Sequence, residues 1–154
     1  MNNMKIYDLR TLASVSQDEP AIIDITAGMT TFGSVGAIYA FKENHPNWQL
    51  FMDLKLEDDD IINAKMAFDA GADIVSVSGN ASDETIRNAQ LIAEANNAAI
   101  MLDVRHTDHK EDKAEDASVY GITYIRGIQR DDMTSCNYGI RTREWIAGQE
   151  DAAL

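Results

Sequence analysis

The sequence predicts an α/β fold with a parallel sheet, and three observations carry that prediction. Apolar runs alternate with stretches of helical period, with a strand about every 25 to 30 residues, which is the pattern of βαβ units. Two of the runs, Ala21-Ile22-Ile23-Asp24-Ile25 and residues 98–104, are almost continuously apolar, as strands covered on both faces are. Polar residues gather where the runs stop. Asp8, Asp24, Asp53, Lys55 and Asp103 each lie at or near the C-terminal end of a predicted strand, the rim on which parallel α/β folds build their sites.

In chain order, residues 4–7 read as a short strand ending at Asp8, and 9–15 as a short helix or turn. Pro20 makes a break after Gln17-Asp18-Glu19, since the residue before a proline avoids the helical region. The run 21–25 is the second strand, and the glycine- and threonine-rich segment 26–33 a loop. Ser34 is a plausible N-cap for a helix with Val35, Ile38 and Phe41 at helical spacing, stopping near Asn44-His45-Pro46. Residues 48–56 form the third strand and 58–70 a helix, with Gly71 as its stop. A strand is expected over 72–77, a loop over 79–82 and a helix over 83–95 with Ile86, Ala89, Ile92 and Ala93 on one stripe. Residues 98–104 are the fifth strand. The polar segment from His106 begins as a loop, with a helix over about 113–120, and 121–125 is a sixth strand. A last helix is expected near 141–147. No low-complexity linker interrupts the chain, so 1–154 reads as one domain.

Composition narrows the function. With 154 residues, 45% hydrophobic and 25% charged, the chain has the make-up of one soluble domain. No apolar run approaches the roughly 18 residues of a membrane span, and Met1-Asn2-Asn3-Met4-Lys5 lacks a signal-peptide core. The single cysteine, Cys136, fits a reducing cytoplasm and has no histidine nearby in sequence to activate it. A net charge of -13 argues against nucleic acid and against anionic membrane surfaces as partners. An anionic substrate would therefore need a locally positive pocket.

The stretch richest in chemistry is Leu50-Phe51-Met52-Asp53-Leu54-Lys55-Leu56-Glu57-Asp58-Asp59-Asp60. Asp53 and Lys55 sit two apart, so a regular strand would aim both at one face. Asp58 follows three residues after Lys55, where a helix is expected to begin. Two carboxylates around one ammonium are costly to half-bury, and they should hold Lys55 protonated. Helix N-termini favour negative side chains, which accounts for Asp59 and Asp60 but not for the Asp53/Lys55 pair. A lone strand-end aspartate is often a helix cap; four of them and a lysine on one rim are harder to read that way. Arg126 and Arg130 offer forks that match phosphate geometry, or they are solvated loop arginines. His106 and His109 read as exposed loop residues, and His45 as a helix terminus.

Asp53-x-Lys55-x-x-Asp58 resembles the D-x-K-x-x-D signature of the orotidine 5'-phosphate decarboxylase superfamily. The flanking text is similar to its sugar-phosphate branch, the 3-hexulose-6-phosphate synthases and 3-keto-L-gulonate-6-phosphate decarboxylases. Ala67-Phe68-Asp69-Ala70-Gly71-Ala72-Asp73-Ile74-Val75-Ser76-Val77 resembles that branch's helix-to-strand passage. Gly79-Asn80-Ala81-Ser82-Asp83-Glu84-Thr85-Ile86 looks closest to the synthase. The likeness runs from about Ile22 to Ile125.

The resemblance implies a (β/α)8 TIM-barrel type fold and a homodimer with sites at the subunit interface. It implies a Mg2+-dependent lyase, aldolase or decarboxylase, acting on a sugar phosphate through an enediolate. By position, Asp24 (more often glutamate in the family) and Asp53 would bind the Mg2+, and Lys55 would stabilise the developing negative charge. Asp58 would reach across the dimer, and Asp8 and Asp103 would be the acids closing the first and fifth strands around the substrate. Mg2+ prefers hard oxygen ligands, and a metal plus an ammonium stabilises charge that exists only near the transition state.

Three departures stand against the match. About six βα units can be counted, whereas a closed barrel takes about 200 residues or more, so the C-terminal third is expected to be missing. The loops after strands seven and eight, where such barrels grip phosphate, have no counterpart, and no Gly-Gly pair occurs in the chain. The histidine that the sugar-phosphate enzymes carry after strand six is absent from Tyr124-Ile125-Arg126-Gly127-Ile128-Gln129-Arg130, which leaves Arg126 as the substrate-binding candidate there. Two other readings remain: a catalytically inactive homologue acting as an interaction protein, and orotidine 5'-phosphate decarboxylation itself, which needs no metal.

Overall fold

The computed structural model describes residues 6–9, 20–26 and 35–127. In chain order these form β1 (Ile6–Asp8), β2 (Ala21–Asp24), α1 (Val35–Asn44), β3 (Trp48–Leu56), α2 (Ile62–Asp69), β4 (Ile74–Ser78), α3 (Asp83–Ala95), β5 (Ala99–Asp103), α4 (Lys110–Val119) and β6 (Tyr124–Arg126). The segments expected over 10–15, 27–33 and 141–147, the Ser34 cap, Arg130 and Cys136 lie outside the described residues.

All six strands are parallel and pair in sequence order, β1-β2-β3-β4-β5-β6. The sheet curls into a half-barrel. In a flat sheet, β3 and β6 would stand about 14 Å apart, three strand spacings. Here Tyr124 Oη on β6 lies 3.5 Å from Gln49 Oε1 on β3, and Arg126 Nη1 lies 3.3 Å from Asp53 Oδ2. Side chains from β3 and β6 therefore meet across a concave interior.

The period-two alternation of the strands separates two apolar layers. Ala21, Ile23, Ile25, Trp48 and Leu50 pack with Ile38 of α1. The intervening Ile22 and Phe51 join the larger cluster, which runs through β4, β5 and β6 to the buried faces of α2, α3 and α4. Phe51, Ile22, Leu50, Ile74 and Leu102 are fully buried, and each such side chain is worth about 1.5 to 3 kcal/mol relative to exposure.

The N-terminal ends of the strands are clipped by one carboxylate. Asp73 accepts the Leu50 N–H at 2.9 Å and pairs with Lys42 of α1 at 2.6 Å. Gly71, at φ +110°, turns the chain beneath α1, where a Cβ would come within 2.9 Å of Ile38 Cγ2. At α3, the Ser82 hydroxyl accepts the Thr85 N–H, and Asp83 and Glu84 occupy the first turn, so the helix begins where the sequence predicts.

Three expectations change. The helix expected over 58–70 is split: Asp58–Asp60 is a 3-10 turn and the α-helix starts at Ile62. The Asp60 N–H bonds the Glu57 carbonyl, and Asp58 turns its side chain to Ser82 instead of continuing the helix. α4 starts at Lys110, earlier than expected, because His109 takes a left-handed φ of +56° and Glu111 and Asp112 favour the N-terminal turn. The third concerns β3. Met52 pairs with Val75, but Leu56, not Leu54, pairs with Val77. The extra residues are absorbed where Lys55 adopts φ +48°. The plain alternation that would aim Asp53 and Lys55 at one face does not carry through this bulge.

Candidate active site

The strand registers bring the polar strand ends to one rim. Asp8 and Asp24 are Cα partners, as are Ser78 and Asp103, and Asp103 and Arg126. Between these two groups stand Asp53 and the bulge.

A chain of hydrogen bonds joins the central residues. Asp24 Oδ1 accepts the Thr26 N–H at 2.9 Å, a turn in which an aspartate bonds the backbone two residues on. Thr26 Oγ1 accepts the Asp53 N–H at 2.7 Å, so one threonine tethers both residues. Ser76, fully buried on β4, accepts the Lys55 N–H at 2.8 Å and donates its hydroxyl to Asp53 Oδ1 at 2.7 Å. It fixes the Asp53 carboxylate and the bulged Lys55 backbone together. Arg126 faces the other oxygen, Oδ2. Among the described residues no ion pair joins Lys55 to Asp53 or Asp58, contrary to the sequence reading, because the bulge leaves Lys55 exposed. Lys55 lines a pocket of about 50 Å3 with Ser78, Asn80, Asp103, His106 and Thr107.

The remaining candidates are held by their own chain. Asp58 accepts the Ser82 N–H at 2.8 Å. That bond, with the hydroxyls of Thr85 and Ser82, holds its carboxyl below the usual range. Burial pushes the Asp103 carboxyl up, but the hydrogen bonds and charge of Arg105, with the charge of Arg126, outweigh it and hold it low. Arg105 Nε and Nη2 fork onto the two Asp103 oxygens at 3.0 and 2.8 Å. His106 is exposed at the pocket mouth, and His109 is exposed at the start of α4.

Sequence reasoning missed Thr26, Ser76, Arg105 and Thr107. Three carried a signal: Asp24-x-Thr26 and Asp103-x-Arg105 share the spacing of an aspartate-capped turn. Ser76 is a polar residue inside the apolar run Ile74-Val75-Ser76-Val77, and a buried hydroxyl needs partners. The buried Thr107 hydroxyl has no hydrogen-bond partner among the described residues.

A larger cavity of about 390 Å3, lined by Lys42, Trp48, Gln49, Asp73 and Tyr124 among others, opens at the N-terminal ends of the strands. It contains none of the rim carboxylates, and in barrels of parallel strands that face serves stability, not chemistry.

A divalent cation would find two hard carboxylates here, Asp24 and Asp53, on adjacent strands and tethered through Thr26. Among the described residues no group of three or more histidine, cysteine or acidic side chains could hold a metal. Hard carboxylate oxygens are the donor type that Mg2+ takes, one or two at a time with its waters kept.

The orotidine 5'-phosphate decarboxylase / HUMPS family matches residues 7–142. The chain is similar to the 3-hexulose-6-phosphate synthase of Mycobacterium gastri, 32% identical over 104 residues that cover 68% of this chain and 50% of that protein. It is similar to a crystal structure of a 3-hexulose-6-phosphate synthase, with a TM-score of 0.65 and 26% identity over 99% of this chain and 76% of that one. It shares its fold with the 3-keto-L-gulonate-6-phosphate decarboxylase of Vibrio cholerae, with a TM-score of 0.61 and 22% identity over 92% and 70% of the two chains. The chain spans about half the length of the curated relatives it matches.

Proposed function

The chain belongs to the orotidine 5'-phosphate decarboxylase / HUMPS family, and from that premise we propose that it is a Mg2+-dependent lyase acting on a sugar phosphate through an enediolate. The observation that carries this reading is the hydrogen-bonded chain Asp24, Thr26, Asp53, Ser76, Lys55 at the C-terminal rim of the sheet. Asp24 and Asp53 would hold the Mg2+. The bound metal would supply a Lewis acid for charge developing on the substrate oxygens. Lys55, exposed above the small pocket, stabilises the same charge from the protein side. Ser76 keeps the Asp53 carboxylate oriented while charge builds. Arg126, Asp8 and Asp103 line the substrate's surroundings, and the exposed Asp58, fixed by Ser82 of its own chain, faces a neighbouring subunit.

A homodimer is part of the proposal. Ile62 and Met66, one helical turn apart on α2, are 65% and 64% exposed, and Tyr39 of α1, whose hydroxyl donates to the Asp69 carbonyl at the end of α2, is 46% exposed. A second copy of this chain would cover that apolar face. No helix among the described residues is long and apolar enough to cross a membrane, and the lone cysteine supports a cytoplasmic setting.

The test is thermal. Ribulose 5-phosphate with Mg2+, at concentrations well above Kd, raises Tm if the native site binds it. No shift with millimolar ribulose 5-phosphate or with a β-keto acid phosphate refutes the lyase reading. It would favour a non-catalytic homologue, for which the relevant observation is that Arg105 and Arg126 already neutralise Asp103 and Asp53.

A further inference from the structure

We infer that the Arg126 guanidinium competes with a divalent cation for the Asp53 carboxylate, so that binding the metal and releasing Arg126 are one event. The inference rests on the proposed reading of Asp53 as a metal ligand. Its carboxylate has two faces. Oδ1 takes the Ser76 hydroxyl at 2.7 Å, from a side chain fully buried and anchored by the Lys55 N–H. Oδ2 is the side toward the concave interior, and Arg126 Nη1 stands against it at 3.3 Å. The two side chains are 11% and 17% exposed, so water screens them little.

The pairing is loose for its kind. Well-made charge-assisted contacts run to about 2.7–2.9 Å, and an arginine with room to fork makes two of them. Arg105 does so on Asp103, at 3.0 and 2.8 Å. Arg126 makes one long contact to Asp53, and its buried Nε has no hydrogen-bond partner among the described residues. Its guanidinium is thus incompletely satisfied where it stands. A small dication seeking Oδ2 would meet that positive charge directly, and the two cations repel each other across the carboxylate. Displaced, the guanidinium presents its fork to the interior, where an anionic group of the substrate would pair with it. By linkage, metal and anion then strengthen each other's binding.

Isothermal titration calorimetry with Mg2+ and Mn2+ on the full chain tests this, comparing wild type, Arg126→Gln and Arg126→Lys. Removing the competitor should tighten metal binding about fivefold, the equivalent of about 1 kcal/mol. Arg126→Lys, which keeps the charge, should stay near wild type. A second measurement needs no variant: Mg2+ titrated into wild type should move the Arg126 15Nε–H NMR signal as the guanidinium leaves Asp53. Equal or weaker binding by Arg126→Gln, or saturation by Mg2+ with the Arg126 signal unmoved, overturns the competition while leaving Asp53 as a ligand. Metal binding by Arg126→Gln but not by wild type upholds the competition and removes the metal from the native reaction. If neither binds metal, both readings fall.

Discussion

Ser76→Ala removes one oxygen from the centre of the site and two hydrogen bonds with it. The cost can be worked from the geometry. The Lys55 N–H loses its acceptor, worth about 1 kcal/mol, and the Asp53 carboxylate loses a charge-assisted donor, worth about 1.5 to 3 kcal/mol. Arg126 stays on the other oxygen, and Asp53 is 17% exposed, so water recovers part of the loss. A net destabilisation of about 2 to 3 kcal/mol is expected. At this chain length each kcal/mol is worth about 2 to 4 °C, so Tm should fall by about 4 to 12 °C. Urea unfolding with an unchanged m-value gives the free energy, and amide hydrogen exchange locates it. The Lys55 amide should exchange faster in the variant, while that of Leu102 in the middle of β5 should follow global stability alone. A loss below about 0.5 kcal/mol, the scale of an ordinary surface change, with Lys55 exchange unaltered, would refute the idea that Ser76 holds the two residues together.

Three further outcomes are expected. Phe51→Ala, at a fully buried position, should cost about 3 to 5 kcal/mol in chemical denaturation. Gly71→Ala should cost more than about 1 kcal/mol, since φ is +110° and the new Cβ meets Ile38 Cγ2 at 2.9 Å; an unchanged midpoint would contradict the backbone geometry. Asp103→Asn should destabilise by about 2 kcal/mol at neutral pH by stripping the Arg105 fork of its charge. Because the folded Asp103 carboxyl lies below its ordinary 3.8, its contribution is present above that value and is lost as pH falls through the folded value. The gap between wild type and Asp103→Asn should therefore close in acid, and a gap constant from pH 7 to pH 2 would refute the assignment.

The fold was legible because it rests on periodicities. β3 and α3 begin and end where the apolar pattern and the Ser82 cap place them. The site was legible as a rim but not as a set of contacts. Asp53, Lys55 and Asp58 read as one charge cluster because sequence spacing assumes regular elements. The β3 bulge and the Asp58–Asp60 turn break that assumption: Asp53 takes the Ser76 hydroxyl, Asp58 takes the Ser82 N–H, and the Lys55 side chain is left exposed. Arg126 could be named from sequence but not aimed, since its contact with Asp53 depends on the curl of the sheet from β3 to β6. Ser76 was the reverse case: its place in an apolar run marked it, and only its hydrogen bonds across to β3 showed which two residues it serves.

The central claim, that Lys55 and the tethered carboxylates make this chain a sugar-phosphate lyase, is met most directly by turnover. The full chain with Mg2+, ribulose 5-phosphate and formaldehyde should consume formaldehyde and form a hexulose phosphate. Lys55→Ala, at an exposed position where the fold loses little, should abolish that turnover with Tm nearly unchanged. Turnover retained in Lys55→Ala, or none in the wild type with this pair or with a β-keto acid phosphate, would contradict the account.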